Sequence, residues 1–273
     1  MRRSVLFAAS AALSSCLLTG SNLSAAVFVS QVVDYVPGDI SPTYTTASSA
    51  LGPAALVHSF GVVSPFNPAY EPSDLVGIGK GGRLTVRFAQ PVVDVPGPDF
   101  GVFNNVGLID ASYPSGTATN PAATFNALPR VADVSVSSDG TTFVPLSRTT
   151  FSNPAMAFQN AGPFDMAPPS PAVVSDFGKP FAGTLASFDG LSWPQIQVLL
   201  DGSGGGTWLD VSVTGLSSFE YVRFEIPADG IAGSDDRVYI DAVSANNVAV
   251  PEPATLSLAL SVLGGVLLRR RVR

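Results

Sequence analysis

Few residues in this chain can do bond-breaking chemistry. Its single histidine, His58, lies between Val57 and Ser59, and its single cysteine, Cys16, sits in an apolar stretch near the start. A Ser-His-Asp triad would have to be built on that one imidazole. No Gly-x-Ser-x-Gly elbow occurs, and Asp201 takes the first position of the nearest approximation, around Ser203. Zinc would be short of nitrogen and sulfur ligands. Oxygen ligands are the exception. Asp94-Val95-Pro96-Gly97-Pro98-Asp99 places two carboxylates on a rigid turn, and Asp235, Asp236 and Asp241 form a second set, with Gly233 permitting a tight loop before it. Calcium takes six to eight hard oxygens, which such loops supply together with backbone carbonyls. These five aspartates are the expected calcium ligands. The competing reading has them capping turns in solvent, since the spacing is not that of an EF-hand.

Two further features have a chemical and a structural reading. Trp193, Trp208, Tyr113, Tyr221 and Tyr239 have rings that stack on sugars when displayed and fill a core when buried. Trp193 and Trp208 are the expected glycan platforms. The run Asp201-Gly202-Ser203-Gly204-Gly205-Gly206-Thr207 resembles a phosphate loop only in glycine content, lacking the Gly-Lys-Ser/Thr ending. It reads as a flexible turn leading Trp208-Leu209 into a strand, or as a close approach of backbone to a ligand or metal. Paired carboxylates also hydrolyse glycosides, but composition nominates no pair.

The elements that must position these residues are strands. Arg83-Leu84-Thr85-Val86-Arg87-Phe88 and Val131-Ala132-Asp133-Val134-Ser135-Val136 alternate polar and apolar, the period of a half-buried strand. Asp139-Gly140 then makes a turn into Phe143-Val144-Pro145-Leu146. Residues 209–213, 220–226 and 237–243 are short runs of the same kind. With 26 Gly and 23 Pro interrupting the chain, an all-β fold is expected. One helix is predicted: Ser192 caps, Pro194 lies in the first turn, Ile196 to Leu200 form the body and Gly202 ends it. Residues 151–188, rich in Pro, Ala, Ser and Phe, read as a long loop excursion. Such a loop is either functional or poorly ordered. Phe151, Phe158, Phe164, Phe177 and Phe181 are expected to be buried beneath it.

Both ends of the chain read as targeting segments. Arg2 and Arg3 precede apolar residues 5–18, and Ser24-Ala25-Ala26 offers small residues for cleavage before Val27: a secretory signal peptide over 1–26. Leu13-Ser14-Ser15-Cys16 also reads as a lipobox, which would lipidate Cys16 instead. At the far end Pro251-Glu252-Pro253 opens 15 apolar residues, 254–268, that stop at Arg269, Arg270 and Arg271. At about 1.5 Å per residue such a helix spans roughly 22 Å, short of the roughly 20 residues of a comfortable membrane span. It is a minimal anchor whose arginines stay on the cytoplasmic side. Between the ends, removing Arg2, Arg3 and the four tail arginines leaves eight of 14 basic residues. Removing Glu252 leaves 20 of 21 acids, so residues 27–250 carry −12. Nucleic acid and anionic lipid headgroups are poor partners for that charge. Cleavage after Ala26 would also remove the only cysteine, leaving an exported domain stabilised by its core, with no disulfide.

The tail resembles the PEP-CTERM sorting signal of Gram-negative bacteria, with triplet, apolar stretch and arginine cluster in order over 250–273. The resemblance implies an exosortase-type protease that recognises Pro251-Glu252-Pro253 and releases the protein to the envelope or exopolysaccharide after transient anchoring in the inner membrane. The remainder resembles exported PEP-CTERM proteins of uncharacterised function through Val33-Asp34-Tyr35-Val36-Pro37-Gly38, Ala50-Leu51-Gly52-Pro53, Val63-Ser64-Pro65-Phe66-Asn67-Pro68, Gly81 to Phe88, Asp201 to Thr207 and Ile240-Asp241-Ala242-Val243. That resemblance implies one galactose-binding-like, antiparallel jelly-roll β-sandwich over 27–248, in which the last strand can bring the two aspartate sets together. The reading is a non-enzymatic cell-surface or matrix protein. Its alternatives are a carbohydrate-binding module for the exopolysaccharide and a glycan hydrolase.

Overall fold

The computed structural model describes residues 26–248; the signal segment with Cys16, and the tail with Pro251, Glu252, Pro253, Arg269, Arg270 and Arg271, lie outside them. The described chain opens in β1 (Val27–Phe28) and β2 (Gln31–Val36), passes a hairpin of β3 (Val57–His58) and β4 (Gly61–Val62), then β5 (Val76–Gly79), β6 (Arg83–Val93) and β7 (Phe100–Asn104). After a long connection come β8 (Val131–Ser137) and β9 (Val144–Thr150). The excursion follows, then α1 (Trp193–Leu200), β10 (Thr207–Leu209), β11 (Ser218–Glu225) and β12 (Arg237–Ala245).

Every pairing between strands is antiparallel. One sheet runs β2-β6-β11-β8-β9; the other runs β1-β12-β7-β10, with β5 also on β12. Alternation in the sequence explains why the sheets stack. Leu84, Val86 and Phe88 of β6, Val134 and Val136 of β8, and Val222 and Phe224 of β11 meet Phe100 and Val102 of β7 and Val238, Ile240 and Val243 of β12 in one apolar core. Each side chain of this size contributes roughly 1.5–3 kcal/mol when removed from water. The expected Asp-Gly turn joins β8 to β9. Asp139 Oδ1 accepts the Thr141 and Thr142 N–H groups at 2.8 Å, and Gly140 takes the positive φ of +73° that the turn needs.

Residues 151–188 form a third layer. Ala155, Ala157, Phe158 and Phe177 pack on Phe103 and Ala242, the side chains on the outer face of the β7/β12 sheet. Phe181 and Phe188 join Trp193, Ile196 and Leu200 of α1 in an adjoining cluster. Of the five phenylalanines predicted to lie beneath a loop, Phe158, Phe177 and Phe181 do so and Phe164 is half-buried, whereas Phe151 is buried in the core between the sheets, against Phe224. Helix α1 starts where Ser192 caps it, its N–H held by Gln195 Oε1 at 2.9 Å, and it stops at Asp201, whose φ of +46° leaves the helical region one residue before Gly202.

The glycine run corrects an expectation. Ser203, Gly204, Gly205 and Gly206 are buried beneath the excursion. A Cβ on Gly205 would lie 2.2 Å from the Pro154 carbonyl oxygen, and one on Gly204 would lie 2.6 Å from the Phe177 ring. The close approach is to the protein's own loop. Met156 N–H to Gly204 O and Gly206 N–H to Pro154 O, both 3.0 Å, zip the two segments together.

Candidate metal centre

Register explains how three carboxylates come together. In the β7/β10 pair Leu209 faces Phe100, so the next residues outward, Asp210 and Asp99, are cross-strand neighbours. The Asp99 N–H donates to Leu209 O at 2.8 Å and pins that end. Pro96-Gly97-Pro98 turns the chain back from β6, Gly97 at φ +102°, and Asp94 at the start of this turn is held by its N–H to Ser217 O at 3.0 Å. Asp94, Asp99 and Asp210 each offer an oxygen, all within 4.8 Å of one another. Two ligands on opposite sides of a calcium ion at about 2.4 Å lie about 4.8 Å apart, so the three fit one ion.

The electrostatics favour a cation. Asp99 is 0% exposed. Its Oδ1 accepts the Val95 N–H at 3.1 Å and its Oδ2 accepts the Val211 N–H at 2.9 Å. Burial raises its pKa above the ordinary carboxylate value, the two N–H groups pull it back, and the charges of Asp94 and Asp210 push it up again. Asp210 is lowered by Ser212, whose N–H reaches its Oδ1 at 2.8 Å. Like charges opposite one another across strands repel, and a divalent ion would replace that repulsion with three attractive contacts.

The second aspartate set does not join this group, which corrects the expectation that the two would meet. Asp235 is ion-paired to Arg130. Asp236 turns inward on its own loop, where Oδ1 accepts the Ile231 N–H at 2.6 Å and the Ser234 hydroxyl at 3.2 Å. Asp241 is the extra residue of a bulge in β12, between Ile240 opposite Asn104 and Ala242 opposite Phe103. It is 2% exposed, and both of its oxygens accept the Ala55 N–H at 3.1 Å. Desolvation, with Asp74 adding to it, pushes its pKa up to about 7. Asp210, in turn, is a site residue that sequence reasoning missed. Only the β7/β10 register brings it to Asp99, and strand pairing over 111 residues is not written in local pattern.

The proposed sugar platforms are largely spent on packing. Trp193 is 8% exposed, its Nε1–H donating to Ala161 O at 3.0 Å, so it presents no face to a ligand. Trp208 is half-buried, its Nε1–H bonded to Gly205 O at 2.9 Å and its ring lying over Gly101. One part of it still borders an open groove with Leu146, Thr149, Asp210 and Val213 at the exposed edge of the sandwich. Tyr221 lies under the Arg87 guanidinium and Tyr239 under that of Arg130, while Tyr113 is largely exposed. His58 Nδ1 accepts the Phe60 N–H at 3.2 Å, which puts its proton on Nε2. Ser203 Oγ donates to Lys179 O at 2.7 Å, a bond that holds the glycine run in place.

Among the described residues, no helix is long and apolar enough to cross a membrane. A scan against protein-family models finds no match, and a search of the curated proteins finds no relative.

Proposed function

We propose that this is an exported, non-enzymatic protein of the cell surface or exopolysaccharide matrix: one jelly-roll β-sandwich between a signal peptide and a PEP-CTERM tail processed by an exosortase-type protease. The observation that carries this reading is the match between folded unit and targeting segments. Among the described residues the first strand starts at Val27, the residue after the expected cut, and pairs at once with Ala245 of the last described strand. At the other end Val248, three residues before Pro251, bridges Val92, and Val93 N–H donates to Asn247 O at 2.7 Å. Losing both ends would therefore leave every strand pairing of the described residues in place.

Calcium at Asp94, Asp99 and Asp210 would tie the β6/β7 turn to the end of β10, stiffening one end of a disulfide-free sandwich. The test is cosedimentation of the processed protein with isolated exopolysaccharide in millimolar calcium and in chelator. Retention that falls in chelator is expected; a protein that stays in the supernatant in both would defeat the matrix reading.

The second reading, a carbohydrate-binding module, is favoured by the groove that Trp208 and Asp210 share. An apolar ring beside acceptor oxygens is the lining a sugar ring requires. Loss of retention in Trp208→Ala with the fold intact would support it.

A further inference from the structure

A cavity of about 290 Å³ lies on the other side of the third layer, between residues 123–130 and the start of the excursion. Its walls differ from the rest of this acidic molecule. Leu128, Phe151 and Leu185 make an apolar side, Thr150 and Ser152 offer hydroxyls, and Arg130 is the one charged residue that lines it. Arg130 is held in place from several directions. It is ion-paired to Asp235, its Nη2 donates to Asn126 Oδ1 at 3.0 Å, and its guanidinium lies over the Tyr239 ring at 4.9 Å. Its Nε–H is closed off from solvent and finds no partner among the described residues. A buried charged donor without an acceptor is rare in a folded protein; it lies behind the cavity wall, and a ligand would meet only the remainder of the Arg130 side chain. Asp235, its ion-pair partner, is not among the residues that line the cavity.

We propose that this cavity binds a single sugar-acid ring, its carboxylate beside Arg130, its hydroxyls toward Asn126, Thr150 and Ser152, and its apolar face toward Leu128. The volume sits at the low end of the roughly 300–1,000 Å³ of ligand pockets, which suits one ring and not an extended chain. The chemistry favours an anion, because the one charge among the lining residues is a cation, whose ion-pair partner Asp235 lies outside the lining, in a domain of −12. It also specifies a polyhydroxylated one, because the other polar liners are neutral hydroxyls and an amide. This deepens the carbohydrate-binding reading and rests on it, at a site separate from the Trp208 groove.

The test is a ligand-observed NMR titration of the full-length chain in mild detergent with methyl glucuronide, and with methyl glucoside as its neutral twin. Saturable millimolar binding of the glucuronide, at least tenfold tighter than the glucoside, is expected. Leu128 is 47% exposed at the rim, so Leu128→Asp should fold with an unchanged melting temperature and weaken the glucuronide at least tenfold by placing a like charge at the mouth. Arg130→Gln should also abolish the preference, though it frees Asp235 and is expected to melt lower. Equal binding of the two probes, no binding of either, or full binding by Leu128→Asp would overturn the proposal. Cosedimentation of the same Leu128→Asp protein with polysaccharide separates the failures. If it is retained while no sugar acid binds, only this pocket falls; if wild type is not retained either, the carbohydrate reading falls with it.

Discussion

Two carboxylates define the chemistry of single residues here, and their environments pull them toward different roles. Asp241 is 2% exposed on a bulge and receives one N–H for two oxygens, while Oδ2 of Asp74, whose charge acts on it, is buried and finds no partner among the described residues. Its folded pKa of about 7 lies above the roughly 3.9 of an unfolded aspartate. Below pH 4 both states hold the proton and nothing is lost. Between about 4 and 7 the unfolded chain releases it first, so stability falls as pH rises, and above 7 the penalty is complete. Three pH units correspond to an upper bound of about 4 kcal/mol. Asp241→Asn keeps an acceptor for Ala55 and removes the buried charge that Asp74 repels. It should melt several degrees higher than wild type at pH 8 and no higher at pH 4, in paired thermal scans. Asp99 is the contrasting case, because it shares its site with two further acids. Calcium at millimolar concentration should raise stability by about 1–3 kcal/mol, and Asp210→Asn should remove most of that rise, as read by melting in calcium against chelator.

At the scale of elements, the unusual device is the excursion of residues 151–188 laid over four buried residues of the glycine run. Gly205 has φ +74° and faces the Pro154 carbonyl oxygen. Gly205→Ala combines a strained backbone with a clash that neither segment can relieve cheaply, and should cost roughly 2 kcal/mol or more. Limited proteolysis should then cut within 151–188 before any strand is cut. This layer also marks where sequence reading reached its limit. Strands such as β6 and β8 were legible because alternating Leu84, Val86, Phe88 and Val134, Val136 impose their own period, and α1 was legible because Ser192 and Pro194 announce its start. The role of Gly204 to Gly206 was not, since the partners that require them, Pro154 and Phe177, are far away in sequence. The candidate site was half legible for the same reason. The Asp94–Asp99 turn is local, whereas Asp210 arrives through pairing of β10 with β7, and the final aspartates found separate structural partners.

Taken together, the described residues form two five-stranded antiparallel sheets around one core, the small β3/β4 hairpin, a covering layer, and a set of charged features at the edges. It carries −12 over 27–250 and holds its strands without disulfides. β1 and the segment at Val248 close the sheets close to both expected processing points. The proposal that the domain is exported and freed from both targeting ends can be decided by intact mass and terminal peptide mapping of the native protein, from envelope and from medium. The expected chain starts at Val27, ends near Pro251 and is recovered outside the inner membrane. A chain that still ends at Arg273 and stays with the membrane would contradict it.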